Sequence, residues 1–70
     1  MKPHPLDIKT QWGRRIAEAR RGRQLTQVQL AAETDLFPQT ISRLERGEMG
    51  SINTYERVAR VLDLDLAAKQ

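Results

Sequence analysis

The stretch LFPQTISRLERG, residues 36–47, carries polar side chains whose types and spacing suit hydrogen bonding with the edge of a planar group. Gln39 has an amide that donates and accepts, Thr40 has a hydroxyl, and Arg43 has a planar fork of donors. Helical spacing places all three on one side of a helix. A glutamine amide can pair bidentately with adenine and an arginine with guanine. On a helix that enters the DNA major groove, these side chains can therefore contact base edges.

No set of side chains in the sequence matches a catalytic or metal site. Hydrolysis through a covalent intermediate needs a nucleophile, a base and a group that orients the base. This chain has one histidine, His4, and no cysteine. His4 stands beside prolines without a second plausible metal ligand, and there is no glycine-rich phosphate loop. We therefore predict that the chain is not an enzyme and uses neither a metal nor another cofactor.

The size and charge of the chain favour a small domain that binds a polyanion. Its 70 residues suit one compact core, and its formal charge of +3 is concentrated near the beginning. Seven basic residues precede Gln24, opposed there only by Asp7 and Glu18: Lys2, Lys9, Arg14, Arg15, Arg20, Arg21 and Arg23. No apolar run approaches the roughly 18 residues of a spanning helix, and the first residues lack a secretion signal. Nucleic acid is therefore favoured over a membrane, and we expect a cytoplasmic, nucleoid-associated protein.

Hydrophobic periodicity predicts an all-α fold of four to five short helices, with a possible short C-terminal strand. We divide the chain into an arm at residues 1–9, a domain at 10–66 and a tail at 67–70. The first helix begins at Asp7 or Thr10 and fades near residues 22–24, with Trp12 in the core. Thr26 and Gln29 form a capping box at the start of the second, which runs to about residue 33.

The third helix should begin at Pro38, whose missing N–H is harmless there, and should end at Gly47. Its buried side is Ile41 and Leu44. Ser51 or Asn53 can begin the fourth helix, and Asn53 with Glu56 matches a second capping box. The expected buried side of that helix is Ile52, Tyr55, Ala59 and Leu62. The final LDLDL alternates with period two, so it is either a short strand or a last helical turn.

Two short helices joined by about four turn residues form the unit that inserts its second helix into the major groove. Phe37 lies immediately before that helix. Its ring can either touch a thymine methyl group or fill the core beneath the turn.

The segment LTQVQLAAETDLFPQTISRLERG, with ARR before it and SINTYERVARVLDLDL after it, resembles the phage repressor and Cro family, also called XRE-like regulators. The resemblance covers about residues 10–66 and implies a lambda-repressor-like helix-turn-helix domain. Two positions that are usually glycine in that family are Gln24 and Asp35 here, and Phe37 replaces the usual serine cap. Asp35 can tolerate the positive φ of a turn.

The resemblance also implies roles for individual residues. The candidate base contacts are Pro38, Gln39, Thr40 and Arg43. The candidate phosphate contacts are Gln27, Arg46, Ser51, Asn53 and Thr54. Arg20 and Glu45 should form a structural ion pair between the first helix and the end of the third. For the remaining basic residues we favour a solvated face over individual phosphate contacts: Arg14, Arg15, Arg21 and Arg23.

These observations favour a DNA-binding regulator, most simply a repressor, that binds a two-fold symmetric operator as a homodimer. Tyr55 with the apolar tail Leu62, Leu64 and Leu66 is the candidate dimer contact. One alternative is the antitoxin of a toxin–antitoxin pair, which binds a protein toxin and represses its own operon. Others are the controller protein of a restriction–modification system and a helical adaptor that does not bind DNA.

Overall fold

The computed structural model describes residues 5–48 and 51–66, which form four helices around one core. The helices are α1 (Pro5–Gly22), α2 (Gln27–Thr34), α3 (Pro38–Glu45) and α4 (Ile52–Val61). None of the described residues forms a strand, and this confirms the all-α prediction. The largest side chains with no exposed surface come from every helix: Ile16, Leu30, Ile41, Leu44, Tyr55 and Val58.

Helix α1 begins earlier than its hydrophobic pattern indicates. It starts at Pro5, so residues 5–9 of the predicted arm are helical. A proline suits the first position of a helix because its fixed φ is already helical and an N–H there would have no partner. Of the predicted arm, residues 1–4 lie outside the described residues, as does the predicted tail at 67–70.

The predicted starts of α2 and α3 are confirmed. The Thr26 hydroxyl accepts a hydrogen bond from the Gln29 amide, and the Gln29 side chain accepts one from the Thr26 amide. These reciprocal bonds satisfy two donors that the first helical turn leaves unpaired. Pro38 is the first residue of α3, and Ile41 and Leu44 are fully buried.

Helix α4 corrects two predictions. Its N-cap is Ser51, so Asn53 lies inside the helix and the capping box with Glu56 does not form. Ile52, expected in the core, has 39% of its surface exposed, whereas Tyr55 is fully buried. Helical side chains project toward the N-terminus, so the side chain of the first helical residue extends past the core rather than into it.

The predicted dimer contact is wrong, because its side chains belong to the core of one chain. Tyr55, Leu62 and Leu66 retain at most 7% exposure, and half-buried Leu64 packs against them. The LDLDL segment is a turn, in which the Leu64 amide donates to the Ala59 carbonyl at 2.8 Å. Tyr55 also meets Trp12 edge to face, with ring centres 6.1 Å apart.

Two arginines of the expected solvated face, half-buried Arg15 and exposed Arg23, also hold this C-terminal segment. Arg15 donates from Nη1 to the Leu66 carbonyl at 3.0 Å and from Nη2 to the Asp65 carbonyl at 2.9 Å. Arg23 donates to the Leu62 carbonyl at 2.9 Å. Their guanidinium groups therefore satisfy backbone acceptors that follow α4.

All four described helices end in the same backbone arrangement. A left-handed residue follows the last turn, and the next amide donates to a carbonyl five residues earlier, as in the Schellman motif. The left-handed residues, with φ between 55° and 76°, are Gln24, Asp35, Gly47 and Asp63. The predicted stop at Gly47 and the positive φ at Asp35 are thus confirmed. Gly47 alone among these four residues lacks a Cβ.

Helices α1 and α3 cross in close contact at Gly13. A Cβ at this position would lie 2.4 Å from the Leu44 carbonyl oxygen and 2.8 Å from the Glu45 carbonyl oxygen. Both atoms belong to the backbone of the last turn of α3. The absence of a side chain at Gly13 therefore sets how closely α3 lies on α1.

Candidate nucleic-acid interface

Helix α3 separates its buried and exposed side chains cleanly. Ile41 and Leu44 have no exposed surface and hold the helix on the core. On the other side Gln39 and Arg43 are exposed, and Thr40 is half-buried. Pro38 is also exposed at the first helical position. The four predicted base contacts therefore lie together along the first turns of one short helix.

The connection from α2 to α3 leaves the Phe37 ring outside the core. Leu36 is the half-buried residue of the turn that packs against the core, whereas Phe37 has 74% of its surface exposed. Of the two alternatives for Phe37, the one in which its ring fills the core beneath the turn is therefore wrong. The Phe37 carbonyl nevertheless accepts hydrogen bonds from the Thr40 and Ile41 amides, at 2.9 and 3.1 Å.

A buried charge network fixes the end of α3 to the helices before it. Arg20 donates from Nε to Glu45 Oε2 at 2.6 Å and from Nη2 to Glu45 Oε1 at 3.1 Å. The two side chains retain only 11% and 7% of their surface. Arg20 also donates from Nη1 to the Leu25 carbonyl at 2.8 Å, just before α2. The ion pair named from the sequence is thus present, and it is bidentate.

Gln27, at the start of α2, joins the same network. Its Nε2 donates to Glu45 Oε1 at 3.0 Å, and its side chain is half-buried. The Glu45 carboxylate therefore accepts three hydrogen bonds from α1 and α2 together. Charge-assisted bonds of this kind are stronger than neutral ones, so the network restrains α3 against both helices.

Arg46, a predicted phosphate contact, already has partners within the chain. It donates to the Ser42 hydroxyl at 2.7 Å and to both carboxylate oxygens of Glu48 at 3.2 Å. Both members of the pair are about half exposed. The hydrogen bond and charge of Arg46, with a further contribution from Arg43, lower the pKa of Glu48 below its usual 4.5. Glu48 therefore stays ionised at neutral pH and offsets part of the positive charge beside α3.

The entrance of α4 presents polar groups, three of them predicted phosphate contacts. Ser51 caps the helix through its backbone, since its carbonyl accepts from the Thr54 amide at 3.2 Å while its hydroxyl makes no capping bond. Ser51 and Asn53 are exposed, and Thr54 is half-buried. Unpaired amides at a helix start attract anions such as phosphate.

The pair of α2 and α3, joined by a short turn and carrying this exposed polar face, matches a known domain. A family model described as a helix-turn-helix domain matches residues 11–69 of the chain. The chain belongs to this helix-turn-helix family. No curated protein matches it. Helix-turn-helix domains typically bind DNA by placing their second helix in the major groove.

Two further observations concern metal ions and membranes. Within the described part of the chain, no group of acidic or histidine side chains could hold a metal ion. The helices of that same part include none with the length and apolarity needed to cross a membrane.

The sequence did not predict the roles of three residues in the packing of the domain. Gly13 sets the spacing of α1 and α3, while Arg15 and Arg23 fix the segment after α4. A glycine inside a helical pattern is the signal that could have indicated a close contact, since glycine is otherwise unfavourable there. The two arginines gave no such signal, because their acceptors are backbone carbonyls far along the chain.

Proposed function

We propose that this protein is a sequence-specific transcription regulator that reads a two-fold symmetric operator through α3 and represses by occupying it. The carrying observation is the exposed face of α3, on which Gln39 and Arg43 project from a helix anchored by Glu45. An amide and a guanidinium one helical turn apart fit the acceptors and donors of adenine and guanine edges. A helix held this firmly presents those groups in one orientation.

The proposal includes a homodimer, because one short helix contacts only a few base pairs. Two copies related by a two-fold axis would place their α3 helices about 34 Å apart, which is one turn of DNA. Two half-sites then supply both the affinity and the specificity that one copy lacks.

Phosphate contacts would set the register of α3 in the groove. We assign them to Gln27, Arg46 and the α4 entrance at Ser51, Asn53 and Thr54. The bond from Gln27 to Glu45 uses one proton of the amide nitrogen and leaves the second for a phosphate oxygen. In this arrangement Gln27 would link the DNA backbone directly to the network that holds α3.

The test is selection of duplexes from a random DNA pool by the purified protein at near-physiological salt. We expect enrichment of a palindrome whose half-sites are centred about one helical turn apart. Tight binding at low salt without any enriched sequence would mean that only backbone electrostatics operates, and the proposal of a sequence-specific regulator would fail.

Replacing Arg43 by alanine should cost about 1–3 kcal/mol of binding free energy on the selected operator. The loss should be confined to one base pair per half-site, whose preference then relaxes, because the guanidinium pairs with one base edge. Titrations against operators changed at each position would measure both effects. The control is Arg21→Ala, which removes the same charge from an exposed position in α1. An equal loss on every sequence would contradict base recognition by Arg43.

Replacing Glu48 by glutamine should tighten DNA binding. The change removes the carboxylate that holds Arg46 and frees its guanidinium for phosphate. One added phosphate contact steepens the slope of log K against log salt by about 0.9. The slope would be measured from binding titrations at several salt concentrations. Glu33→Gln, which removes an exposed charge from α2, is the control and should leave the slope nearly unchanged. An unchanged slope for Glu48→Gln would argue against a phosphate role for Arg46.

The antitoxin alternative comes from the resemblance of the terminal LDLDL, residues 62–66, to the end of some antitoxins. Leu62 and Leu66 are buried in the chain's own core, so they form no exposed stripe for a toxin. No other contact among the described residues favours this alternative over the regulator.

A further inference from the structure

The entrance of α3 has an apolar surface where a helix start usually has polar groups. Phe37 is its N-cap and makes no side-chain capping bond, although serine, threonine and aspartate are preferred there. Its ring is 74% exposed, the largest exposed fraction among the large apolar side chains that the structure describes. Pro38 follows and is exposed as well. We call Phe37 and Pro38 together the apolar edge.

The Phe37 ring is not part of the hydrophobic core cluster of the chain. The backbone carbonyl of Phe37 carries the capping bonds, and Leu36 packs against the core. A phenyl ring left in water forgoes the free energy that its burial would release. The ring therefore has apolar surface available for a partner at the point where α3 would enter the groove.

We propose that the apolar edge contacts C5-methyl groups of pyrimidines in the major groove, those of thymine and of 5-methylcytosine alike. This inference rests on the proposed function, because it requires α3 to lie in the groove. The first residues of a recognition helix reach base edges. The methyl group of thymine is the apolar feature of those edges, and a phenylalanine ring is one of the groups that contact it.

The chemistry of the two side chains excludes DNA partners that require a hydrogen-bond donor. Phe37 has no side-chain donor, and Pro38 has neither a side-chain donor nor a backbone N–H. Neither side chain can therefore donate a hydrogen bond to a phosphate oxygen or a base acceptor. Since 5-methylcytosine carries its methyl group on the same ring carbon as thymine, methylation of a cytosine at the contacted step would strengthen binding.

The test measures methyl recognition directly, with the selected operator and the full chain. Each thymine of a half-site is replaced in turn by uracil, which lacks only the methyl group, and each cytosine by 5-methylcytosine. For the native protein we expect at least one uracil substitution to weaken binding about fourfold, the effect of one buried carbon group. We also compare cytosine with 5-methylcytosine at that position in otherwise identical duplexes. The methylated duplex should bind more tightly by a similar factor.

The matched variants are Phe37→Ser and Phe37→Leu. Serine supplies the missing helix cap, so Phe37→Ser should fold at least as well as the native chain, which its unfolding curve would verify. It should bind thymine and uracil duplexes equally, whereas Phe37→Leu should keep part of the discrimination. Native binding that is indifferent to every uracil, or methyl discrimination unchanged in Phe37→Ser, would overturn the inference. An apolar edge that DNA does not use would then be a surface for a protein partner.

The two proposals fail in distinguishable ways. A pool without any enriched sequence defeats the regulator and the methyl contact together. An enriched operator that depends on Arg43 but not on any C5-methyl group defeats the methyl contact alone.

Discussion

Replacing Glu45 by glutamine is expected to lower the free energy of unfolding by about 3–5 kcal/mol. Glutamine has nearly the same shape but leaves the Arg20 charge buried without its counter-charge. Its amide also turns a donor toward the guanidinium or Gln27, where the carboxylate accepted three hydrogen bonds. A 70-residue domain has roughly 4–10 kcal/mol in all, so this loss would remove much of its stability.

Urea unfolding followed by tryptophan fluorescence measures this effect, because Trp12 is the one tryptophan and packs on buried Tyr55. Glu48→Gln is the matched control, since it breaks a similar pair with Arg46 on the surface. Exposed pairs contribute little to stability, so its unfolding curve should nearly overlay that of the native protein. Similar losses in both variants would show that burial of the Arg20 and Glu45 pair is energetically unimportant.

Replacing Gly13 by alanine should destabilise the fold by about 1–3 kcal/mol, as overpacking of a tight core does. The added methyl group would meet backbone atoms of α3 at 2.4–2.9 Å, and backbone cannot rotate away as a side chain can. Helix α3 must therefore move off α1. Alanine is the better helix former by about 1 kcal/mol, which offsets part of the cost but not the displacement. Unfolding curves give the stability, and operator binding reports the displaced recognition helix.

Gly22→Ala is the control for that experiment. The same methyl group added at Gly22 meets nothing within 4 Å, so it should leave stability unchanged or raise it slightly. If Gly13→Ala behaved like Gly22→Ala, the close crossing of α1 and α3 would have no energetic consequence.

The parts of this fold that the sequence predicts depend on neighbouring residues. Each of these signals involves residues within about one helical turn of each other. They are the capping box of Thr26 and Gln29, the start of α3 at Pro38 and its end near Gly47. Helical spacing also predicts the burial of Ile41 and Leu44, and with it the exposed face of α3. The position of the candidate site can therefore largely be predicted from the sequence, because the site occupies one short helix with clear ends.

The remaining features depend on contacts between distant residues. The acceptors of Arg15 lie about fifty positions further along the chain, so its charge alone predicts a solvated side chain. The leucines of the LDLDL segment are equally compatible with a strand, a dimer contact or a core position. Only the packing of α4 against α1 determines which of these they occupy. Ile52 fits the periodic pattern of α4 but lies at its first turn, where the core ends.

The left-handed ends of the helices have a consequence for the lifetime of the protein in a cell. A left-handed backbone is unfavourable for residues with a Cβ, and three helix ends have such a residue: Gln24, Asp35 and Asp63. Each of these residues therefore lowers the free energy of unfolding. Proteases degrade the small unfolded fraction of a protein. A change of about 1–2 kcal/mol in the free energy of unfolding can therefore alter its abundance several-fold. Gln24 and Asp63 are outside every proposed DNA contact. Glycine at these two positions would thus offer evolution a way to adjust the turnover of the regulator without altering what it reads.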